Sequence, residues 1–170
     1  MFETTKSYVK DFVKTFIIGP SDFQFALVTS SLSATVHFPL DKHVDNTTIA
    51  EDIDGIHFDN GPSFTGKGLK KSREEVFTSV NGARENGKKY VIVLTDGLSS
   101  NLQETKAEAE FLKNVGVEII SVGAGKRFYH QELMDIASHW THVFPLYNND
   151  SVNTVYHDNV VPQCPCKYVK

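Results

Sequence analysis

Apolar residues recur along this chain with two different periods, and each change of period marks a new element. Val9, Phe12, Val13 and Phe16 fall at i, i+3, i+4 and i+7, which predicts an amphipathic helix stopped by Gly19-Pro20. FQFALVTSS and ATVHFPL then predict two strands joined through Ser31 to Ser33. In the second, Val36, Phe38 and Leu40 alternate with Thr35, His37 and Pro39, the pattern of a half-buried antiparallel or edge strand. Thr48 and Glu51 have the spacing of a capping box on a short helix. After the irregular GIHFDNGPSF, a helix is predicted from Thr65 through GKGLKKSREEVFTSV, with Leu69, Val76 and Val80 inward. YVIVLT is apolar at successive positions, as in a strand buried on both faces.

From there the chain alternates. A helix in LQETKAEAEFLKNV precedes the strand VEIISVG, a helix in HQELMDIAS precedes the strand HVFPL, and a last helix is predicted from Asp150 to Val160. Such alternation predicts an α/β fold, a mostly parallel sheet with helices on both faces and an antiparallel strand at one edge.

Composition narrows the class. At 170 residues, 40% hydrophobic and 22% charged, the chain reads as one globular domain rather than a disordered one. A net charge of −4 argues against a general nucleic-acid binder, which carries a basic face. No apolar run reaches the roughly 20 residues that cross a bilayer. MFETTKSYVKDF lacks the apolar core of a signal peptide. Cys164 and Cys166, split by one proline, are too close to pair well with each other. They are free thiols or partners of cysteines outside this chain. Asn46-Thr47-Thr48 and Asn149-Asp150-Ser151 are glycosylation sequons that would matter in a secreted protein.

The candidate chemistry centres on GPSFTGKG, residues 61–68, which has the G-x-x-x-x-G-K spacing of a phosphate loop. Its context argues otherwise. Lys67 is followed by Gly68 instead of a hydroxyl residue, EDIDGIHFDN makes a poor buried strand, and Asp54 and Asp59 would repel phosphate. The dinucleotide fingerprint fails too, since its third glycine is Lys71 in one frame and Phe128 in the other. A second reading uses the hydroxyls. Ser63 and Thr65 stand at the mouth of a helix and Asp96 at the carboxyl end of a buried strand, where open α/β sheets bind ligands. Those oxygens suit a hard cation such as Mg²⁺. Alternatively, Thr65 caps its helix and Asp96 accepts backbone N–H bonds in the Asp-Gly turn. Catalysis finds no constellation. Histidines 37, 43, 57, 130, 139, 142 and 157 are scattered, and no serine or cysteine has an evident base and orienter.

Three segments, GPSFTGKGL, KKYVIVLTDGLSS and LKNVGVEIISVGAG, resemble the von Willebrand factor type A domain in residues and order. The family pattern runs G-G-T-x-T-G-x-A-L, an apolar strand ending in T-D-G, then G-V-x-h-x-x-V-G-h-G with h apolar. The resemblance extends from Phe2 to about Val161, implying a domain over 1–161 and a cysteine-containing tail over 162–170. It implies a Rossmann-like doubly wound fold and a metal-ion-dependent adhesion site built from a D-x-S-x-S loop, a threonine and an aspartate. By that correspondence Asp96 is the aspartate, Ser63 stands where the threonine does, and Thr65 is the second hydroxyl of T-x-T-G.

No D-x-S-x-S occurs in the chain, and the family's central first strand has no counterpart. The resemblance therefore implies truncation before both, or a shortened isoform without its metal site. FQFALVTSS and YVIVLT would then either pair directly, be bridged by another segment, or leave the chain partly unfolded.

By resemblance, the function is a protein-binding adhesion module of an extracellular matrix or cell-surface protein, secreted and without catalysis. Mg²⁺ would be its cofactor, weakly held or absent here, and an acidic side chain of a protein such as a collagen its ligand. A disulfide from Cys164 or Cys166 to a cysteine outside the chain is implied as well. An intracellular type A domain acting as a scaffold in a larger complex is the alternative.

Overall fold

In the computed structural model, residues 2–57, 61–125 and 128–146 are described. Helix α1, Phe2–Val13, buries Tyr8, Phe12 and Val13 along one face, matching its apolar stripe. It ends at Val13, well before Gly19-Pro20, and Phe16 is buried just beyond it. There Phe16 packs edge-on against Phe12, Phe23 and Phe25, with ring centroids 4.8, 4.6 and 5.2 Å away. This aromatic cluster joins the helix to the strand that follows.

Strands β1, Leu27–Ser30, and β2, Ala34–Phe38, form an antiparallel pair across the turn at 31–33. Helix α2, Asn46–Asp54, comes next. Its cap is Asp45, whose carboxylate accepts from the Thr47 and Thr48 N–H groups at 2.9 Å each. The expected Thr48–Glu51 capping box is therefore corrected by one turn. Asp45 reaches both free N–H groups from outside the helix, which leaves the Thr48 hydroxyl to bond the buried His43 ring at 3.0 Å.

Helix α3, Thr65–Lys71, passes into a π-helical turn, Ser72–Val76, and a separate 3₁₀ turn follows at Ser79–Asn81. One continuous helix with Val80 inward was expected, but Val80 is 87% exposed. The π turn, closed by Phe77 N–H to the Ser72 carbonyl at 3.0 Å, breaks the 3.6-residue register. Thr78 is then extended, so the face that buries Leu69 and Val76 does not continue to Val80.

The remaining elements are β3 (Lys89–Thr95), α4 (Leu102–Asn114), β4 (Val117–Gly123), α5 (His130–Ile136) and β5 (Val143–Pro145). Strands β3, β4 and β5 form a parallel sheet with β4 in the middle. Successive residues face opposite layers. Tyr90, Ile92, Leu94, Ile120 and Val122 pack on α1, while Val91, Val93, Val117 and Ile119 pack on α3, α4 and α5. Helices thus cover both faces of the three-stranded parallel sheet, and the antiparallel pair of β1 and β2 is a separate two-stranded sheet instead of an edge of it. Between β1 and β3 the hydrogen-bond ladder is interrupted, so the two strands do not pair directly. The expected helix from Asp150 to Val160, Asn149, Cys164 and Cys166 lie outside the described residues.

Candidate functional site

The carboxyl end of β3 carries Asp96 into a tight turn. Gly97 adopts φ +75°, and a Cβ there would stand 2.6 Å from the Tyr129 carbonyl, so glycine is required on both counts. The Tyr129 N–H donates to the Asp96 carbonyl at 2.8 Å and ties the turn to the start of α5. Asp96 is half-buried, and its Oδ1 accepts from the Leu98 N–H at 3.3 Å. The Asp-Gly turn bond expected of a purely structural aspartate is thus present on one oxygen.

Thr65 behaves differently. Phe64 occupies the cap position of α3, and no side chain caps that helix. The Thr65 hydroxyl is buried and has no hydrogen-bond partner in the structure. A buried hydroxyl without a partner is costly, on the order of 1–3 kcal/mol. Helix capping, the structural alternative for Thr65, is therefore not what the fold uses.

A polar network locks the two loops together. Ser100 N–H donates to the Ser63 carbonyl at 2.7 Å, and Thr65 N–H to Ser99 Oγ at 3.3 Å. Gly66 N–H donates to Thr105 Oγ1 at 3.1 Å, and Thr105 Oγ1 to Ser99 Oγ at 2.9 Å. From α5, the Glu132 carboxylate accepts the Ser99 N–H at 3.0 Å on Oε2, while Oε1 is buried without a partner. Glu132 is 1% exposed. Burial pushes its carboxyl above the ordinary range, opposed by the Ser99 N–H and reinforced by the charges of Asp96 and Asp135.

Ser63, Thr65 and Asp96 thus belong to one locked pair of loops at the carboxyl edge of the sheet. Their two hydroxyls and one carboxylate are an all-oxygen set, the donor chemistry of Mg²⁺ or Mn²⁺, and the unpartnered Thr65 oxygen fits a hard cation. Among the described residues no group of three or more His, Cys, Asp or Glu could hold a metal ion, so carboxylate supply is short. Around the site Leu98, Leu102 and Tyr129 are exposed.

Lys67 is engaged within the fold. Its ammonium donates to the Leu32 carbonyl at 2.5 Å and lies 4.2 Å from the Phe64 ring centroid. The glycines beside it serve packing instead. A Cβ on Gly66 would stand 2.8 Å from the Thr105 nitrogen, and one on Gly68 3.1 Å from the Ser30 hydroxyl. Asn46 is the first residue of α2, half-buried, its amide donating to the Lys14 carbonyl at 3.5 Å. The imidazoles of His139 and His142 meet edge-on with centroids 5.9 Å apart, and His142 Nδ1 faces Glu118 at 3.4 Å.

Sequence reasoning missed Ser99, which stands in the quoted segment KKYVIVLTDGLSS without being assigned a role, and Thr105 and Glu132, which stand outside the three segments that carry the resemblance. An available signal was the acidic position beside Leu133 and three residues before Asp135 on a helix whose inward face also takes Leu133 and Ile136.

A family model for the von Willebrand factor type A domain matches residues 1–158. The mouse collagen alpha-4(VI) chain is 30% identical over 169 residues, covering 99% of this chain and 7% of the collagen. Human matrilin-1 is 30% identical over 137 residues, covering 81% of this chain and 27% of matrilin-1. Among solved structures, proximal thread matrix protein 1 of the mussel byssus, with zinc in its MIDAS motif, superposes with TM-score 0.80 at 33% identity. That match covers 92% of this chain and 39% of the mussel chain. The chain therefore spans well under half the length of the relatives it matches.

Proposed function

The chain belongs to the von Willebrand factor type A family, and on that premise we propose that it is a protein-binding adhesion module with a weak divalent-cation site. Its relatives are matrix and adhesion proteins, which supports an extracellular setting and a protein ligand, a collagen among the candidates. Asp96, Ser63 and Thr65 would hold the cation, Mg²⁺ by preference, and an acidic side chain of the partner would complete its coordination. The cation supplies a positive charge that the partner's carboxylate can meet. The chain's own residues position the oxygens, through the Ser99, Thr105 and Glu132 network, and no catalytic step is assigned to them. A hydrolase screen that found turnover would overturn that last assignment.

The observation that carries the reading is the buried, unpartnered Thr65 hydroxyl in the loop pair that also presents Asp96. Three side-chain oxygens compete poorly with the tightly held water of Mg²⁺, so the affinity belongs in the millimolar range. At a concentration equal to the dissociation constant, linkage stabilises the fold by about 0.4 kcal/mol, a rise of roughly 1–2 °C in a domain of this size. Thermal unfolding with 0–20 mM Mg²⁺ or Mn²⁺ tests it, the range chosen to bracket about one dissociation constant. A rise that grows with cation concentration and disappears in Asp96→Ala is expected. No rise, or one that persists in Asp96→Ala, would rule the site out.

A further inference from the structure

At the amino end of the parallel sheet a groove of about 270 Å³ opens beside the starts of β3 and β4. Arg73 and Phe77 line it from the π turn after α3, and Leu112 and Val115 from the end of α4. Lys89 and Val117, the paired first residues of the two strands, complete it. The candidate cation site lies at the carboxyl end of β3, about 20 Å away along a strand of seven residues. The groove is therefore a separate surface.

Its floor is apolar. Leu112 and Val117 are buried and belong to the core on which Phe77 packs. Val115, by contrast, is 66% exposed, and Phe111, four residues earlier on the same face of α4, is 55% exposed. Single exposed apolar residues are ordinary, but these two extend an apolar groove outward. The charges at the rim divide into one that is met and one that is not. Arg73 Nε and Nη2 donate to the Glu108 carboxylate at 2.9 and 3.2 Å, and Nη2 also donates to Glu74 at 3.1 Å. Its guanidinium lies 5.3 Å from the Phe111 ring centroid, so it is a fixed, neutralised wall. Lys89 is half-buried and has no ion pair among the described residues. One unmet positive charge thus stands beside an apolar floor.

We propose that this groove docks a partner polypeptide through a bulky apolar side chain next to a carboxylate. The apolar side chain rests on Leu112 and Val117, and the carboxylate meets Lys89. A basic occupant would face Lys89 and Arg73 with like charge, and a purely apolar one would cover Lys89 without a counter-charge, which is costly. Size favours a side chain over a free small molecule. The 270 Å³ of the groove falls below the roughly 300–1,000 Å³ of small-molecule sites.

The probe is a capped tetrapeptide with para-fluorophenylalanine followed by glutamate, observed by fluorine NMR on the unaltered protein. Unlabelled capped peptides with Phe-Glu, Phe-Gln or Ala-Glu at the same positions compete with it. Phe-Glu is expected to displace the probe best, with Phe-Gln about two- to fivefold weaker for the lost ion pair. Ala-Glu should be about tenfold weaker or more for the lost apolar burial. In Lys89→Glu the order of Phe-Glu and Phe-Gln should reverse, and Val115→Asp should weaken Phe-Glu most. The proposal is overturned if the protein leaves the fluorine signal unchanged, or if Phe-Gln or Ala-Glu competes as well as Phe-Glu. Equal binding by Val115→Asp would place the peptide elsewhere and overturn it too, as would loss of binding in a chelator. A bound fraction that falls as protein concentration rises would assign the groove to a second copy. A peptide of residues 147–170 that outcompetes Phe-Glu would assign it to the chain's own tail, and either result overturns the partner.

Discussion

Two buried carboxylate and hydroxyl groups show how a single side chain can serve the site and burden the fold at once. Glu132 accepts the Ser99 N–H, so Glu132→Ala, which orphans that donor, should cost about 1–3 kcal/mol. Glu132→Gln keeps an acceptor and removes the charge. Because burial raises the carboxyl's pKa in the folded state, the stability it supports is complete at low pH and falls as pH rises through the folded value. Denaturant melts at pH 4 and pH 7 should therefore shift in favour of Glu132→Gln at the higher pH. A constant difference between the two proteins would refute it. Tyr8 offers the same sign at the alkaline end. Its hydroxyl is buried without a partner and its pKa is pushed up to about 12 by burial. Unfolded tyrosine ionises near 10, so stability is intact below pH 10 and lost as pH approaches 12. Tyr8→Phe should reduce that loss and gain on the order of 1 kcal/mol at neutral pH, read from urea melts across pH 7–11.5.

At the scale of elements, capping and register decide where helices start and stop. Asp45 accepts two N–H groups at the start of α2, and Asp45→Ala should cost about 1 kcal/mol, measured by chemical denaturation. An unchanged midpoint would return the capping role to Thr48. Hydrogen bonding also holds the Asp45 carboxyl below its usual range, the Thr48 N–H first among the causes, so this contribution is present above the unfolded value and lost on acidification. Most elements were legible in the sequence because their apolar residues repeat with a clear period, as in α1, β3 and β4. The end of α3 was not. A π turn carries no pattern of its own, and Ser72–Val76 keeps the composition of an ordinary helix while shifting its register. The candidate residues Asp96, Ser63 and Thr65 stand in short spaced motifs and could be singled out directly. Ser99, Thr105 and Glu132 could not, since they meet across 6 to 33 residues of chain.

For the whole molecule, the interrupted sheet sets the stability. Among the described residues β1 and β3 do not pair with each other, and most of their residues are half-buried, less covered than those of β4. Residues 1–170 alone are expected to be marginally stable and to aggregate with rising concentration, followed by light scattering alongside denaturant unfolding. A monomer that unfolds cooperatively with the ~5–15 kcal/mol of an ordinary domain would contradict this.

The order of elements, the two-sided burial of YVIVLT and VEIISVG, and the family they signal were determined by the sequence itself. Periodicity is local, and each such segment states its own environment through its neighbours three or two residues away. What only the tertiary structure decided is which groups are satisfied. That the Thr65 hydroxyl and Glu132 Oε1 lack partners, that Lys67 bonds Leu32, and that β1 and β3 do not pair depend on distances between segments remote in sequence. Hydrogen bonds act over about 3 Å and carry no sequence period, so packing alone settles them.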